Sequence, residues 1–510
     1  MKLKAHIYII TALLLTSFCD ICAQTADSLL AVKRKKAEEA VMTIVSDPVF
    51  SQAVVSICVT TGCGEPLASH NPSTMLVPAS NMKLITTGAA IHTLGKDYRF
   101  KTGLGYKGKI HDGTLKGNLY VLGGGDPTLG SKDSIATPLE LTFSQWKSLL
   151  DKNGIRKIDG HIIGDGRYFD GMAEEETWLW NDIGTYFGTG SSALMFYENM
   201  QSFNVSAGNQ VGDHINIEPS YPSAPWMDFR YECCTGEKGT GDRLYMYTSE
   251  FAPVAAIRGT FGIDRAPKRV DCANKFPEYT CADMFVKWLQ KKGIRCSEGP
   301  ADARLSRMIS GEDVDICPFS EIKVIGSTFS PVLDRIVFET NHARNNLFAE
   351  TLFRTLGKEM TGSSCYDSSY VAADAALKAM GINTSKGVRI QDGSGLSRQN
   401  YVSPDFFCRF LTAMMSRDCY EVFLRSLPVP GGNGSLQYNM KGQPSGLRDR
   451  IKVKSGSMNG VRCYSGYILP ASYTKEETLV ISIMTNNCTS PNWKVRPLLD
   501  KMMLEIARHQ

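Results

Sequence analysis

Between Tyr98 and Gly311 the chain changes character, and that change constrains its fold more than any other feature. Stretches such as GNLYVLGGGDPTLGS (117–131) and KIDGHIIGDGRYFDG (157–171) are strand-length apolar runs cut by glycines, the pattern of short strands and loops. On either side, helix and strand signals alternate instead. Residues 26–46 predict a helix with Leu29, Leu30, Val41, Ile44 and Val45 apolar, closed by Asp47-Pro48. AVVSICVTT (53–61) predicts a strand, and a helix opens at Ser80, carries Leu84, Ile85, Ala89 and Ile91, and stops at Leu94-Gly95. After the glycine-rich stretch, STFSPVLDRIVFET predicts a helix with Ser330 as N-cap and Pro331 as first residue. NNLFAETLFRTLG predicts another, ended by Gly357, and GVRCYSGYILP and TLVISIMTN read as neighbouring antiparallel strands. A last helix has Val495, Leu498, Leu499, Met502, Met503 and Ile506 as a packing face opposite Lys501, Glu505 and Arg508.

The expected architecture is therefore α/β, an antiparallel sheet flanked by helices, with β-rich material inserted. Residues 24–97 and 312–510 are expected to form one discontinuous domain. Residues 98–311 are the insertion, expected as two small domains, the second at roughly 165–250 nested in the first.

The first residues explain why numbering of the mature part starts at 24. MKLKAHIYIITALLLTSFCDICAQ has Lys2 and Lys4, an apolar core from Ile7 to Phe18 and a cleavage-type Ala23, so 1–23 reads as a secretory signal. No later run is long enough to span a membrane. The net charge of +4 over 510 residues makes no case for nucleic acid. Thirteen of the 15 cysteines lie beyond the signal; none pairs at zinc-ligand spacing, and their disulfide pairing is open.

Eight histidines occur, with no G-x-S-x-G elbow and no H-E-x-x-H. His342 is read as a loop or cap residue. A serine nucleophile then needs another base. In VPASNMKLIT (77–86), Ser80 and Lys83 share a helix face at i, i+3. The same spacing suits a mere N-cap with a solvated lysine. A lysine acts as base only where burial or neighbouring positive charge keeps it neutral. Far downstream, IKVKSGSMNGVRCYSGY sets Lys454-Ser455-Gly456 on a strand, offering a cation, a hydroxyl and an open backbone edge to a carboxylate. Between them, NHARNNLFAE carries Asn346 at the front of a helix.

S-x-x-K, a polar motif with Asn, and K-[ST]-G in that order are the signature of serine penicillin-binding proteins and β-lactamases. With GGGDPTL, YFGTGSSALMFYEN, NNLFAETL, QDGSGLSRQNYVSP and LPVPGGNGSL also in order, the chain resembles the D-Ala-D-Ala carboxypeptidase/endopeptidase family. These are the class C low-molecular-mass penicillin-binding proteins, of the penicillin-binding protein 4 type. Like them, it has a long gap between the first two motifs, which β-lactamases lack.

The resemblance implies a penicillin-recognising, transpeptidase-like domain and a periplasmic serine hydrolase. Its substrates would be peptidoglycan stem peptides ending in D-Ala-D-Ala, and β-lactams would bind covalently. It implies no cofactor and no metal, and leaves a homodimer open. Carried over by position, Ser80 is the acylated nucleophile and Lys83 its base, and Asn346 holds the substrate peptide and the lysine. Lys454 and Ser455 bind the terminal carboxylate, beside Gly456, and the N–H groups of Ser80 and Ser457 form the oxyanion hole.

One position departs: Arg344 stands where the family's second-motif serine is expected. Arginine stays protonated and cannot relay a proton. It would favour a neutral Lys83 and meet a carboxylate on the substrate's leaving side. The alternatives are a catalytically impaired wall-binding homologue and, disfavoured by the insertion, a serine β-lactamase.

Overall fold

The computed structural model describes residues 30–311, 313–343 and 345–510; the expected signal at 1–23 and Arg344 lie outside them. Both ends of the chain build one five-stranded antiparallel sheet. Its order is Ile451–Met458, Val461–Ile468, Leu479–Asn486, Val54–Thr61, Pro66–His70. Val54 pairs with Asn486 and Thr61 with Leu479, so the first strand of the chain lies beside the last. Leu479–Asn486 is buried at every position, as expected for a strand covered on both faces.

The two covers are helical. A helix over 30–45 and the last helix, Asn492–Arg508, bury Ala37, Val41, Ile44, Val495, Leu499, Met502, Met503 and Ile506 against Ile57, Val59, Ile481 and Ile483. The other face takes Met82–Leu94 and Pro404–Met415, through Met82, Leu84, Ile85, Phe406, Phe407, Phe410 and Met414. Full burial of such a side chain stabilises by about 1.5–3 kcal/mol, which makes this sheet a rigid platform.

The glycine-rich middle forms a seven-stranded sheet around Lys101–His111 and Thr114–Leu122. Two three-stranded sheets follow, within 200–273. Besides the short helix Ser306–Ser310, it also holds two long helices that the strand-and-loop reading passed over, Leu139–Lys152 and Pro277–Lys291. Their apolar residues keep helical spacing, with Phe143, Trp146 and Leu150 facing Cys281, Phe285 and Leu289, but the surrounding turn glycines dilute the signal. Phe285 meets Phe143 at 5.0 Å and Trp146 at 5.1 Å between ring centroids.

Two expected helix ends move. The run STF belongs to the strand Lys323–Phe329, which pairs with Lys101–His111, past the expected boundary at 311. The helix after it starts only at Leu333, with Val332 as N-cap. Ser330 is not its cap: the hydroxyl accepts from Phe100 N at 2.9 Å and donates to Pro331 O. Gly357 does not end its helix either, because Asn346–Thr361 runs on to Gly362. A Cβ at 357 would lie 2.5 Å from Ser369 Oγ, so this glycine lets the Tyr366–Ala379 helix pack close.

All thirteen described cysteines are free thiols. Among the described residues, no helix is long and apolar enough to cross a membrane.

Candidate active site

Ser80 does not cap the helix that follows it. It lies in a short 3-10 turn, Ala79–Asn81, and Asn81 is the N-cap of Met82–Leu94, with no side-chain cap bond. The turn is bent by Ala79, whose φ is +46°, a left-handed conformation that costs about 1–3 kcal/mol for a residue with a Cβ. Gly395 makes room for it, since a Cβ there would come 1.9 Å from Ala79 O. On the other side Asn81 Nδ2 donates to Ser465 Oγ at 2.8 Å, and Ser465 shares a hydrogen bond with Ser482. The serine is thus held at the edge of the sheet by its two neighbours.

Lys83 is one helical step inward and wholly buried. Its Nζ lies 3.2 Å from Ser80 Oγ, 2.7 Å from Asn346 Oδ1 and 2.8 Å from the Ser394 carbonyl. These three partners are uncharged oxygen atoms supplied by three separate segments. Asn346 is the first residue of its helix, and its Nδ2 donates to Phe187 O at 2.9 Å. The preceding Asn345 caps that helix by accepting from Phe348 N.

Ile451–Met458 is the edge strand of the five-stranded sheet, as the Lys454-Ser455-Gly456 motif requires. Gly456 presses on the serine turn: a Cβ there would lie 2.4 Å from Pro78 O and 3.1 Å from Asn81 Oδ1. Lys454 is buried, with Nζ donating to Ser455 O. Ser455 Oγ is buried with no hydrogen-bond partner among the described residues. Val453 N donates outward to Pro428 O, so ladder alternation turns the N–H groups of Ser455 and Ser457 to the same open edge. Ser457 is exposed there.

His342 ends the Leu333–His342 helix, stacked on Phe338 at 4.0 Å. Burial pushes its imidazole down to about 4, helped by Lys452 and Lys454 against a hydrogen bond to the Leu427 backbone. It is neutral near pH 7, consistent with a structural residue.

The pattern of the D-Ala-D-Ala carboxypeptidase 3 (S13) family matches residues 37–503. The chain belongs to this family of serine peptidases. It is 27% identical over 490 residues to the D-alanyl-D-alanine carboxypeptidase of Actinomadura sp. (strain R39), covering 92% of this chain and 84% of that one. Identity to the D-alanyl-D-alanine carboxypeptidase DacB of Haemophilus influenzae is 23% over 423 residues, covering 79% and 80%. The crystal structure of penicillin binding protein 4 (dacB) from Haemophilus influenzae matches the fold with a TM-score of 0.74 at 20% identity, over 89% of this chain and 95% of that one.

Two buried acids beside Lys83 lie inside NNLFAETL and QDGSGLSRQNYVSP without having been singled out as site residues. Glu350, one turn along the helix from Asn346, is buried and accepts from the N–H groups of Gly393 at 3.1 Å and Ser394 at 2.7 Å. It thereby aims the Ser394 carbonyl at Lys83. Burial, then the neighbouring Asp392, pushes its carboxyl up to about 8, against those hydrogen bonds. Asp392 organises the rest of the loop, accepting from Gly395 N, Ser397 N, Asn400 Nδ2 and Trp178 Nε1. The turn-rich QDGSGLSRQN was the only trace of this in the sequence. Beyond Asn346, a cavity of about 580 Å³ opens between Phe187, Glu198, Asn345 and the strand Lys268–Ala273.

Proposed function

We propose that this S13 peptidase hydrolyses peptidoglycan stem peptides through a Ser80 acyl-enzyme, removing terminal D-Ala and opening D-Ala cross-links. The observation that carries this reading is Lys83 Nζ, buried between Ser80 Oγ and Asn346 Oδ1. With Lys83 neutral, its two N–H bonds donate to Asn346 Oδ1 and Ser394 O, and its lone pair faces the Ser80 hydroxyl. Ser80 attacks the D-Ala carbonyl as its proton passes to Lys83. The C–N bond then breaks, the leaving amine takes a proton, and water later frees the acyl group.

The Lys454 ammonium and the Ser455 hydroxyl, which has no partner among the described residues, suit the terminal carboxylate, with Gly456 allowing the strand to approach. The N–H groups of Ser80 and Ser457 serve as oxyanion donors; one such donor is worth roughly 10²–10³ in rate. β-Lactams acylate Ser80 by the same route. A structure of the Haemophilus influenzae protein complexed with a β-lactam matches this fold with a TM-score of 0.66. The secretory signal read at 1–23 sends the protein to the periplasm, where its polymer lies.

Labelling with a fluorescent penicillin, with Ser80→Ala as control, and release of D-Ala from a pentapeptide test the reading. Wild type is expected to label and to release D-Ala, and Ser80→Ala to do neither. An unlabelled wild type rejects the nucleophile. Labelling without release supports the wall-binding alternative that Arg344 raises, and restoration of release by Arg344→Ser traces the defect to that residue.

A further inference from the structure

Three consecutive non-glycine residues, Tyr197, Glu198 and Asn199, have φ of +53°, +54° and +51°. Side chains with a Cβ rarely take one such conformation, and a run of three persists only where the surroundings impose it. The imposing contacts are present on both flanks. Tyr197 is buried, donates its N–H to Leu129 O and accepts from Arg269 at its hydroxyl. Asn199 is buried, accepts from Phe196 N, donates to Gly190 O and receives Asn274 N at its carbonyl.

What this strained turn presents is the Glu198 carboxylate. One oxygen accepts from Ser131 Oγ at 2.6 Å, and the other accepts from Asn345 Nδ2 at 2.9 Å. Asn345 is the N-cap of Asn346–Thr361, and the next residue, Asn346, is the one that holds Lys83. Glu198 therefore reaches from the glycine-rich middle of the chain to the start of the site helix. Strain of this kind gathers where a side chain must be delivered to one place.

We propose that Glu198 is a positioning residue for the reaction: by holding Asn345 it fixes the start of the site helix, so that Asn346 keeps Lys83 against Ser80. This rests on the reading of Ser80 as nucleophile and Lys83 as base. It makes the middle of the chain part of the catalytic apparatus through one carboxylate.

The test is the rate of Ser80 acylation by fluorescent penicillin in the full chain. Glu198→Ala is expected to slow acylation roughly 10- to 100-fold, the scale of a displaced catalytic group. Glu198→Gln keeps an amide oxygen for Asn345 and is expected to retain most of the rate. In an Asn346→Ala background, Glu198→Ala is expected to add nothing further, because it acts through Asn346. Should Glu198→Ala fail to fold, Asn345→Ser keeps a capping oxygen but is too short to reach Glu198, and is expected to show the same slowing. Acylation of Glu198→Ala, or of Asn345→Ser, at the wild-type rate overturns the proposal, as does a full additional loss in the Asn346→Ala background. A wild type that does not label rejects the Ser80 reading instead.

Discussion

The edge strand Ile451–Met458 and the segment 171–199 both border the Ser80, Lys83 and Asn346 cluster, yet they are held there by different means. The strand is fixed by a continuous main-chain ladder, from Ile451 opposite Ile468 to Met458 opposite Val461. The segment reaches the site through single contacts: Trp178 to Asp392, Gln391 to Glu175, Phe187 to Asn346 and Glu198 to Asn345. A ladder spreads its energy over many bonds, so removing one side chain changes little, whereas adding volume displaces the whole strand. A wall held by side chains responds in the opposite way. Each donor or acceptor supports its own part of the site.

The largest effect is expected at the strand. Gly456→Ala drives a methyl toward Pro78 O and Asn81 and is expected to slow acylation by roughly 10²-fold, with a stability loss of about 1–3 kcal/mol from overpacking. A near-normal rate would mean that the strand can shift without moving Ser80. Glu350→Ala comes next: it leaves the Gly393 and Ser394 N–H groups without their acceptor, at about 1–3 kcal/mol for each one left unpaired. Chemical denaturation measures that loss, and the acylation rate should fall with it as Lys83 loses its fixed carbonyl.

A subtler effect follows from charge. Glu350 holds its proton up to about pH 8 in the fold against an ordinary value of 4.5, so between those values folding takes up a proton. Its contribution to stability is present at low pH and is lost as pH rises through that window. Asp392, Arg354 and Tyr366 are among the charged or titratable groups facing it. The stability of wild type relative to Glu350→Gln should therefore decline from about pH 4.5 to about pH 8; parallel curves would reject the buried, protonated Glu350. The smallest effect is expected at Trp178→Phe, which removes one hydrogen bond to Asp392 and about 1 kcal/mol of stability, with a modest loss of acylation. A rate loss equal to that of Gly456→Ala would erase the contrast between the two walls.

Legibility in the sequence followed the range of the interaction. The Met82–Leu94 helix, the Lys454 strand and the last helix show in apolar spacing and turn residues, which are local. Leu139–Lys152 and Pro277–Lys291 were hidden because glycine-rich neighbours outweighed three or four well-spaced apolar residues. Ser330 looked like a cap because nothing nearby reveals that Lys323–Phe329 is pulled into a sheet with Lys101–His111. Glu350 and Glu198 lie inside the quoted NNLFAETL and YFGTGSSALMFYEN, yet nothing there showed their roles, since a buried acid and an exposed one are the same letter.

By itself the sequence determined the order of motifs, the class of nucleophile and the helix and strand that carry Lys83 and Lys454. Their meeting was decided only by the tertiary structure. Asn346 and the Ser394 carbonyl reach Lys83 from 263 and 311 residues away. The strained turn at Glu198 reaches Asn345 across 147. Such contacts exist because a packed core leaves each segment one position. No local preference along the chain records them.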